Sequence, residues 1–368
     1  MQAQLTAGEL AMYARQLKLP GMTIETQLKL KRARVLVVGA GGLGSPVLLY
    51  LAGAGVGKIG IVDGDSVSVS NLHRQVLFDQ RTVGTSKVEA ARDRLLALNG
   101  NISVEVHQLF LSRDNAAAIC AQYDVVVDGT DNFAAKYLLD EICGMLQIPL
   151  VYASIFQFEG QLSVFHWAAD PEGPKSYRDL YPAPPSRDMA PNCSEAGVIG
   201  VLPGILGTLQ ANEVVKIITG IGEPISSKLL VFDALTCNTR LLKFKHRKSA
   251  VPVEHIDDRC VTPDFEISVA ELLDWLKQGK AVALIDVREP HEHQAAAIGG
   301  TLIPLATLPE RLSELSQAAL IVCYCQSGGR SAKAARFLES KEYRTSYSLR
   351  GGMNALNASL IEEIACSI

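Results

Sequence analysis

The 368-residue sequence predicts two successive α/β units, the first built on a mixed sheet, and three observations carry that expectation. Short apolar runs alternate with helix-like patterns through the first 160 residues, the sign of a parallel sheet flanked by helices. A glycine-rich loop, "GAGGLG" (39–44), joins the first of these runs to the first helix. A polar, proline-bearing stretch at 246–266 has no period, and beyond it the alternation resumes on a smaller scale.

Taken in order, buried strands are expected at 34–40 and 58–64, with a helix over 43–55 between them. Further strands are expected at 101–108 and 124–130, and helices over 86–98 and 132–146. Residues 149–167 alternate with period two and read as strands that pair antiparallel. Six prolines between 170 and 192 argue against either a helix or a central strand there. A loop of that length inside a domain is usually functional. An apolar helix is expected over 200–220 and two strands over 228–245. The expected divisions are a first domain at 1–246, a linker at 247–265 and a second domain at 266–368. In the last, helices over 268–279 and 331–341 alternate with strands at 281–289 and 319–326.

Composition is ordinary for a globular chain: 48% hydrophobic, 20% charged, net charge −4. Nothing in it marks a nucleic-acid partner. The first sixteen residues lack the apolar core of a signal peptide, and the apolar stretch 47–57 is too short to span a bilayer, so a cytoplasmic protein without a membrane partner is expected. Eight cysteines are scattered without a C-x-x-C pair, so any special thiol is expected to be catalytic or metal-bound.

Gly39, Gly41 and Gly44 form G-x-G-x-x-G between a strand and a helix, which lets backbone N–H groups approach a phosphate. Asp63 ends the next strand, where an acidic side chain commonly holds a ribose hydroxyl. These two features alone suit a nicotinamide dehydrogenase, or a glycine turn that binds nothing. Asn71, Arg74 and Lys87 shift the balance, because ATP attacked at its α-phosphorus needs cations against the developing charge. Asp131 in "DGTDN" (128–132) lies just past a strand end and can hold Mg²⁺ on the phosphates.

"YARQ" (13–16), "GAGGLGSP" (39–46), "VDGDSVSVSNLHRQ" (62–75), "VGTSKVEAA" (83–91), "DGTDN" and "NCSEAGVIGVLPGILGTLQANEVVK" (192–216) resemble the ubiquitin-activating-like adenylyltransferases. The likeness is to those serving ubiquitin-like sulfur carriers in molybdopterin and thiamin biosynthesis, and covers about residues 10–245. It implies a Rossmann-like adenylating domain with an ATP site from Gly42, Asp63, Asn71, Arg74, Lys87, Asp131 and Asn132. It also implies that Arg15 reaches the partner subunit's site in a homodimer. The substrate implied is a carrier ending in Gly-Gly, activated as an acyl-adenylate. Cys193, in "PNCSEAGV", holds the position where the family carries an acyl thioester or a resolving thiol.

Cys325 opens "CQSGGRS" (325–331), a C-x₄-R loop between an apolar strand and a helix. Consecutive N–H groups of Gln326, Ser327, Gly328, Gly329, Arg330 and Ser331 can curl around an anion, and the helix N-terminus adds positive potential. Both stabilise a thiolate or a persulfide. Cys323, two residues earlier on the strand, faces away and reads as core. "ALIDVREPHE" (283–292), "IGGTLIPL" (298–305), the cysteine loop and "SLRGGMNAL" (348–356) resemble a rhodanese domain, despite Ala296-Ala297 and Leu356 standing where that family often has Gly-His and tryptophan. The two resemblances together imply sulfur transfer from a Cys325 persulfide to give a carrier thiocarboxylate. The sulfur donor would be a cysteine desulfurase or thiosulfate. The rival reading is a dinucleotide-dependent oxidoreductase with a sulfur-binding regulatory module.

Relatives of the first half usually hold a structural zinc with two C-x-x-C pairs. Here the matching positions are Ser176 and Asp179, then Val251 and Glu254. Cys237, His255 and Cys260 make no pair with usable spacing, so no zinc is expected.

Overall fold

The structure is a computed structural model that describes residues 4–182, 197–246, 266–315, 320–341, 343, 345–356, 360, 361 and 364. The chain divides into two compact units, Met1–Val253 and Glu254–Ile368. The expected linker 247–265 lies outside the described residues.

Two helices, α1 (Ala7–Met12) and α2 (Ile24–Arg32), precede the sheet of the first unit. Neither is among the helices expected from the sequence; each starts at a threonine cap, Thr6 and Thr23. Next come β1 (Arg34–Val38), α3 (Gly44–Ala54), β2 (Lys58–Val62), α4 (Lys87–Leu98) and β3 (Ser103–His107). They are followed by α5 (Arg113–Cys120), β4 (Val125–Asp128), α6 (Phe133–Leu146), β5 (Leu150–Phe156) and β6 (Glu159–Phe165). A short α7 (Tyr177–Leu180), the long α8 (Val201–Thr219), β7 (Lys228–Asp233) and β8 (Asn238–Lys243) complete the unit.

The eight strands lie in the order β3-β2-β1-β4-β5-β6-β7-β8. The first five are parallel, whereas β6, β7 and β8 each pair antiparallel with the strand before them. Valines and isoleucines of the parallel strands pack against Val47, Leu48 and Leu51 of α3 and Val88 and Leu95 of α4. The strand order reverses direction between β1 and β4, and in open α/β sheets ligands bind outside the carboxyl ends of strands at such a point.

The helix α8 is long and apolar enough, by length and composition, to cross a membrane. Within this fold it is a core helix. Leu202, Leu206 and Val214 are buried, and the buried Gln210 side chain donates to the Asp128 and Val151 carbonyls of β4 and β5.

The exclusion of helix from 170–192 is corrected by α7. Its seven residues of chain from Lys175 to Tyr181 carry no proline, and Ser176 with Asp179 forms a reciprocal capping box.

The second unit holds β9 (Glu266–Ile267), α9 (Val269–Lys277), β10 (Val282–Asp286), α10 (Pro290–Ala295), β11 (Thr301–Leu302), β12 (Leu320–Tyr324), α11 (Gly329–Ser340) and β13 (Ser346–Leu349). Its strands form one parallel sheet in the order β11-β10-β12-β13-β9. The central strand β12 is buried on both faces, with Val322 and Tyr324 in one apolar cluster and Ile321 and Cys323 in the other.

Candidate active sites

The glycine loop follows β1, and the loop carrying Asp131 follows β4. Their backbones touch. Gly39 has φ +93°, and a Cβ on it would stand 2.8 Å from the Gly129 carbonyl oxygen. A Cβ on Gly44 would overlap the Gly39 carbonyl, so the turn closes only with glycine at both places. Gly41 and Gly42 remain half exposed above the turn, at the switch point of the sheet.

Three of the expected partners converge on this loop. One carboxylate oxygen of Asp63 accepts the Ala40 N–H at 2.9 Å and the other accepts the Asp65 N–H at 2.9 Å. Burial pushes the Asp63 carboxyl up, and Lys87, 3.9 Å away, pulls against that. The Lys87 ammonium is buried and bonds Asp65 at 2.8 Å. Arg74 stands over Gly42, its Cγ 3.6 Å from where a Cβ would lie, and its guanidinium donates to the Ser70 carbonyl at 3.2 Å. Asn71 is half buried in the same turn.

In the adjoining loop Asp131 and Asn132 are exposed. The Asn132 side-chain oxygen caps α6 by accepting the Ala135 N–H at 2.8 Å, which leaves both amide N–H groups to meet a ligand. Arg15 is exposed and belongs elsewhere on its own chain. Its neighbour Gln16 bonds the Ala54 carbonyl at the far end of α3, about 15 Å along the helix from the glycine loop.

Sequence reasoning missed three groups here. Asp65 holds Lys87. Gln75, directly after Arg74, is buried with its amide nitrogen near Gly41, and its side-chain oxygen has no hydrogen-bond partner among the described residues. Lys136 donates to Asp128 at 2.8 Å, to the Thr130 carbonyl at 3.1 Å and to the Ala153 carbonyl at 2.9 Å, fixing the loop that carries Asp131. The motif strings hold Asp65 and Gln75, but composition and spacing give no signal for a buried pair that joins a strand end to a helix. The half-open glycine cradle and the cations beside it fit a nucleoside triphosphate.

At the position of the family's first zinc pair, Ser176 and Asp179 are committed to other partners. Asp140 accepts from the Ser176 hydroxyl at 3.0 Å, the Tyr177 N–H at 2.8 Å and His166 at 2.8 Å. Asp179 caps Ser176 and pairs with His246 at 3.2 Å. Cys237 is exposed in a turn, while Val251, Glu254, His255 and Cys260 lie outside the described residues, as does Cys193.

In the second unit Cys325 is 1% exposed, at the end of β12. Its sulfur accepts the N–H of Gly328 at 3.2 Å and of Ser331 at 3.4 Å, and lies 3.5 Å from the Ser331 hydroxyl. Burial raises the thiol. The Ser331 hydroxyl and the N–H groups of Ser331, Ser327 and Gly328 outweigh it, leaving Cys325 below the ordinary cysteine value. Cys323, in the apolar core as expected, is pushed up to about 12 by burial.

The helix after the loop opens earlier than expected. Gly328, at φ +94°, is its N-cap, and Gly329, Arg330 and Ser331 form its first turn. First-turn N–H groups have no partner within a helix, which leaves that of Ser331, with that of the N-cap Gly328, to face the sulfur. Gln326 is exposed and bonds Asn354 at 2.6 Å, and Ser327 is exposed beside it. The Arg330 side chain does not bond the sulfur; it pairs with Glu292.

The ThiF family model matches residues 13–253, and the rhodanese-like domain model matches residues 268–359. The chain belongs to the ThiF family. It is 43% identical over 367 residues to the probable adenylyltransferase/sulfurtransferase MoeZ of Mycobacterium tuberculosis, covering 95% of this chain and 93% of that one. It is 36% identical to the adenylyltransferase and sulfurtransferase MOCS3-1 of Zea mays, over 95% of this chain and 82% of the relative. Among solved structures, PaaA superimposes with a TM-score of 0.56 at 25% identity, covering 67% of this chain and 76% of its own. E. coli MccB with ATP superimposes with a TM-score of 0.56 at 22% identity, over 64% and 72% of the two chains, which bears on the fold alone. A ThiF adenylating unit followed by a rhodanese unit is therefore the organisation of this chain.

Proposed function

We propose that the protein adenylates the C-terminal glycine of a ubiquitin-like sulfur-carrier protein with ATP and converts it to a thiocarboxylate, using Cys325 as sulfur carrier. The observation that carries this reading is the presence, on one chain, of a nucleotide cradle and a thiolate cradle. The names of the MoeZ and MOCS3 relatives support both halves, and none of them supports the oxidoreductase reading.

A carboxylate is a poor acyl donor because its oxygen is a bad leaving group. Attack of the carrier's carboxylate oxygen on the α-phosphorus expels pyrophosphate and leaves an acyl-adenylate. In this reading Arg74 and Lys87 offset charge on the phosphates, Asp63 takes a ribose hydroxyl, and Asp131 is the carboxylate that would hold Mg²⁺. The terminal sulfur of a Cys325 persulfide then attacks the carbonyl, AMP leaves, and carrier and enzyme are joined through an acyl disulfide. Cys193 is our choice for the thiolate that attacks this disulfide at the Cys325 sulfur. The thiocarboxylate departs, and the resulting Cys193–Cys325 disulfide is reset by an external dithiol.

The homodimer reading is supported by Arg15, whose guanidinium has no polar partner among the described residues and lies far from its own glycine loop. We keep the domain limits 1–246, 247–265 and 266–368; the family models span residues 13–253 and 268–359, the first running seven residues into the proposed linker. We place the protein in the cytoplasm.

With carrier, MgATP and a persulfide donor, one carrier oxygen should be exchanged for sulfur, read by intact mass. Asp131→Ala should slow this by roughly 10²-fold or more. An unchanged rate would show that Asp131 does not serve the adenylation step.

We also propose that the first unit works without zinc. The capped turn at Ser176–Asp179 has its polar groups satisfied by Asp140 and His246, so the side chains at that position are engaged elsewhere. Elemental analysis of untagged protein should find zinc well below one per chain, and a full equivalent would end this reading.

A further inference from the structure

Both guanidinium groups tied to the Cys325 loop are already matched by carboxylates. Arg330 pairs end-on with Glu292, Nη1 to Oε2 at 2.7 Å and Nη2 to Oε1 at 2.6 Å. Glu292 is itself held, because the same Oε2 accepts the Glu289 N–H at 3.0 Å in the capping box of α10. Arg288 is buried and bonds Asp286 through Nε at 2.9 Å and Nη2 at 2.7 Å, reaching Gln326 of the loop at 3.4 Å. These four side chains sum to zero charge, and the exposed Glu289 beside Arg330 adds one negative charge. Among the described residues, what faces the sulfur is a set of neutral donors: the N–H groups of Ser327, Gly328 and Ser331 and the Ser331 hydroxyl.

A fork-to-fork pair of this kind fixes the guanidinium in direction as well as charge. Arg330 holds the Glu292 carboxyl at about 2, so the pair stays ionised throughout the working pH range. Both partners are partly exposed, at 36% and 22%, and therefore lie at the rim of the loop and not beneath it.

Two kinds of sulfur donor place different demands on that rim. In the first, the Cys325 thiolate attacks the outer sulfur of thiosulfate, the S–S bond breaks, and sulfite leaves with the bonding pair. The total charge of −3 is conserved, but the sulfonate must be held at the rim beside a thiolate. In the second, the thiolate attacks the terminal sulfur of a protein or cysteine persulfide, the S–S bond breaks, and the donor leaves as its own thiolate. That donor brings at most one charge to the loop.

We propose that Glu292 is a specificity-determining residue. By occupying Arg330 it denies the Cys325 loop a free cation, so the loop takes sulfur from a persulfide in preference to the thiosulfate dianion. The inference rests on Cys325 as the sulfur carrier, and it selects the donor class for that site.

The test compares two donors on the full-length protein: thiosulfate with cyanide as acceptor, and a cysteine desulfurase supplied with L-cysteine, read as one sulfur added to the protein. Glu292→Gln keeps the shape of the side chain and frees the guanidinium. It should lower the KM for thiosulfate about fivefold, through KM and not kcat, and raise the thiosulfate-to-persulfide ratio of kcat/KM by a similar factor, since the pair is partly exposed and screened. Arg330→Gln leaves Glu292 uncompensated and should move the thiosulfate KM in the opposite direction. A thiosulfate KM that is unchanged or higher in Glu292→Gln, or lower in Arg330→Gln, overturns the proposal. Cys325→Ser separates the two levels. It should abolish both transfers, and if either persists the sulfur-carrier reading fails with the proposal. If both are lost while Glu292→Gln behaves like the native protein, only the role of Glu292 is refuted.

Discussion

Cys325→Ser should stop thiocarboxylate formation while carrier-dependent exchange of pyrophosphate into ATP continues. The loss should be on the order of a thousandfold or more, because a serine hydroxyl can neither hold a sulfane sulfur nor ionise near neutral pH. Exchange reports the first unit alone, which needs no sulfur. The cradle makes a second, finer expectation. Burial raises Cys325, and Ser331 with the loop N–H groups brings it below the ordinary cysteine value. Ser331→Ala removes the hydroxyl 3.5 Å from the sulfur, so the thiolate is lost at higher pH than in the native protein. The acid limb of the rate profile should therefore move upward in pH. Cys193→Ala should leave both steps before release intact and accumulate a carrier–enzyme disulfide through Cys325, separable by reduction. Full thiocarboxylate output from Cys325→Ser would remove the second unit from the reaction altogether.

Much of both sites was legible because local chemistry wrote them. The glycines at 39 and 44 have no substitute at their backbone positions, and Cys325 needs donors from a helix start directly after it. Strand and helix positions followed from period. The antiparallel turn of the sheet at β5 and β6 was likewise readable from the alternation over 149–167.

What could not be read is contact between distant segments. No spacing rule links Glu292 to Arg330 across 38 residues, or Gln210 to the carbonyl of Asp128 across 82. The same limit explains α7. Six prolines spoke for a loop, whereas the short proline-free turn is held by Asp140, which lies more than thirty residues upstream on α6. The helices α1, α2 and α5 escaped notice because they are short and only partly apolar, and caps rather than periodicity define them.

Lys136→Met should be the most destabilising single change in the first unit that leaves side-chain length nearly intact. The ammonium is buried and makes three bonds, to the Asp128 carboxylate and to the carbonyls of Thr130 and Ala153. Methionine fills the space but donates nothing. Asp128, fully buried at the end of β4, would keep the Thr130 N–H and hydroxyl as donors and lose the only cation paired with it among the described residues. Breaking a buried pair from one side costs about 3–5 kcal/mol, because the remaining charge is stranded. Denaturant unfolding of the first unit should show a loss of that size. Asp128→Asn in the same chain removes the stranded charge, so the double variant should recover part of it. The pair also holds the Thr130 carbonyl, one residue before Asp131. Under conditions where Lys136→Met is still folded, carrier-dependent pyrophosphate exchange should fall further than the folded fraction does. A variant within about 1 kcal/mol of native stability would mean that the buried pair is worth no more than an exposed one. Native exchange per folded molecule would mean that the tether on Thr130 does not set the position of Asp131.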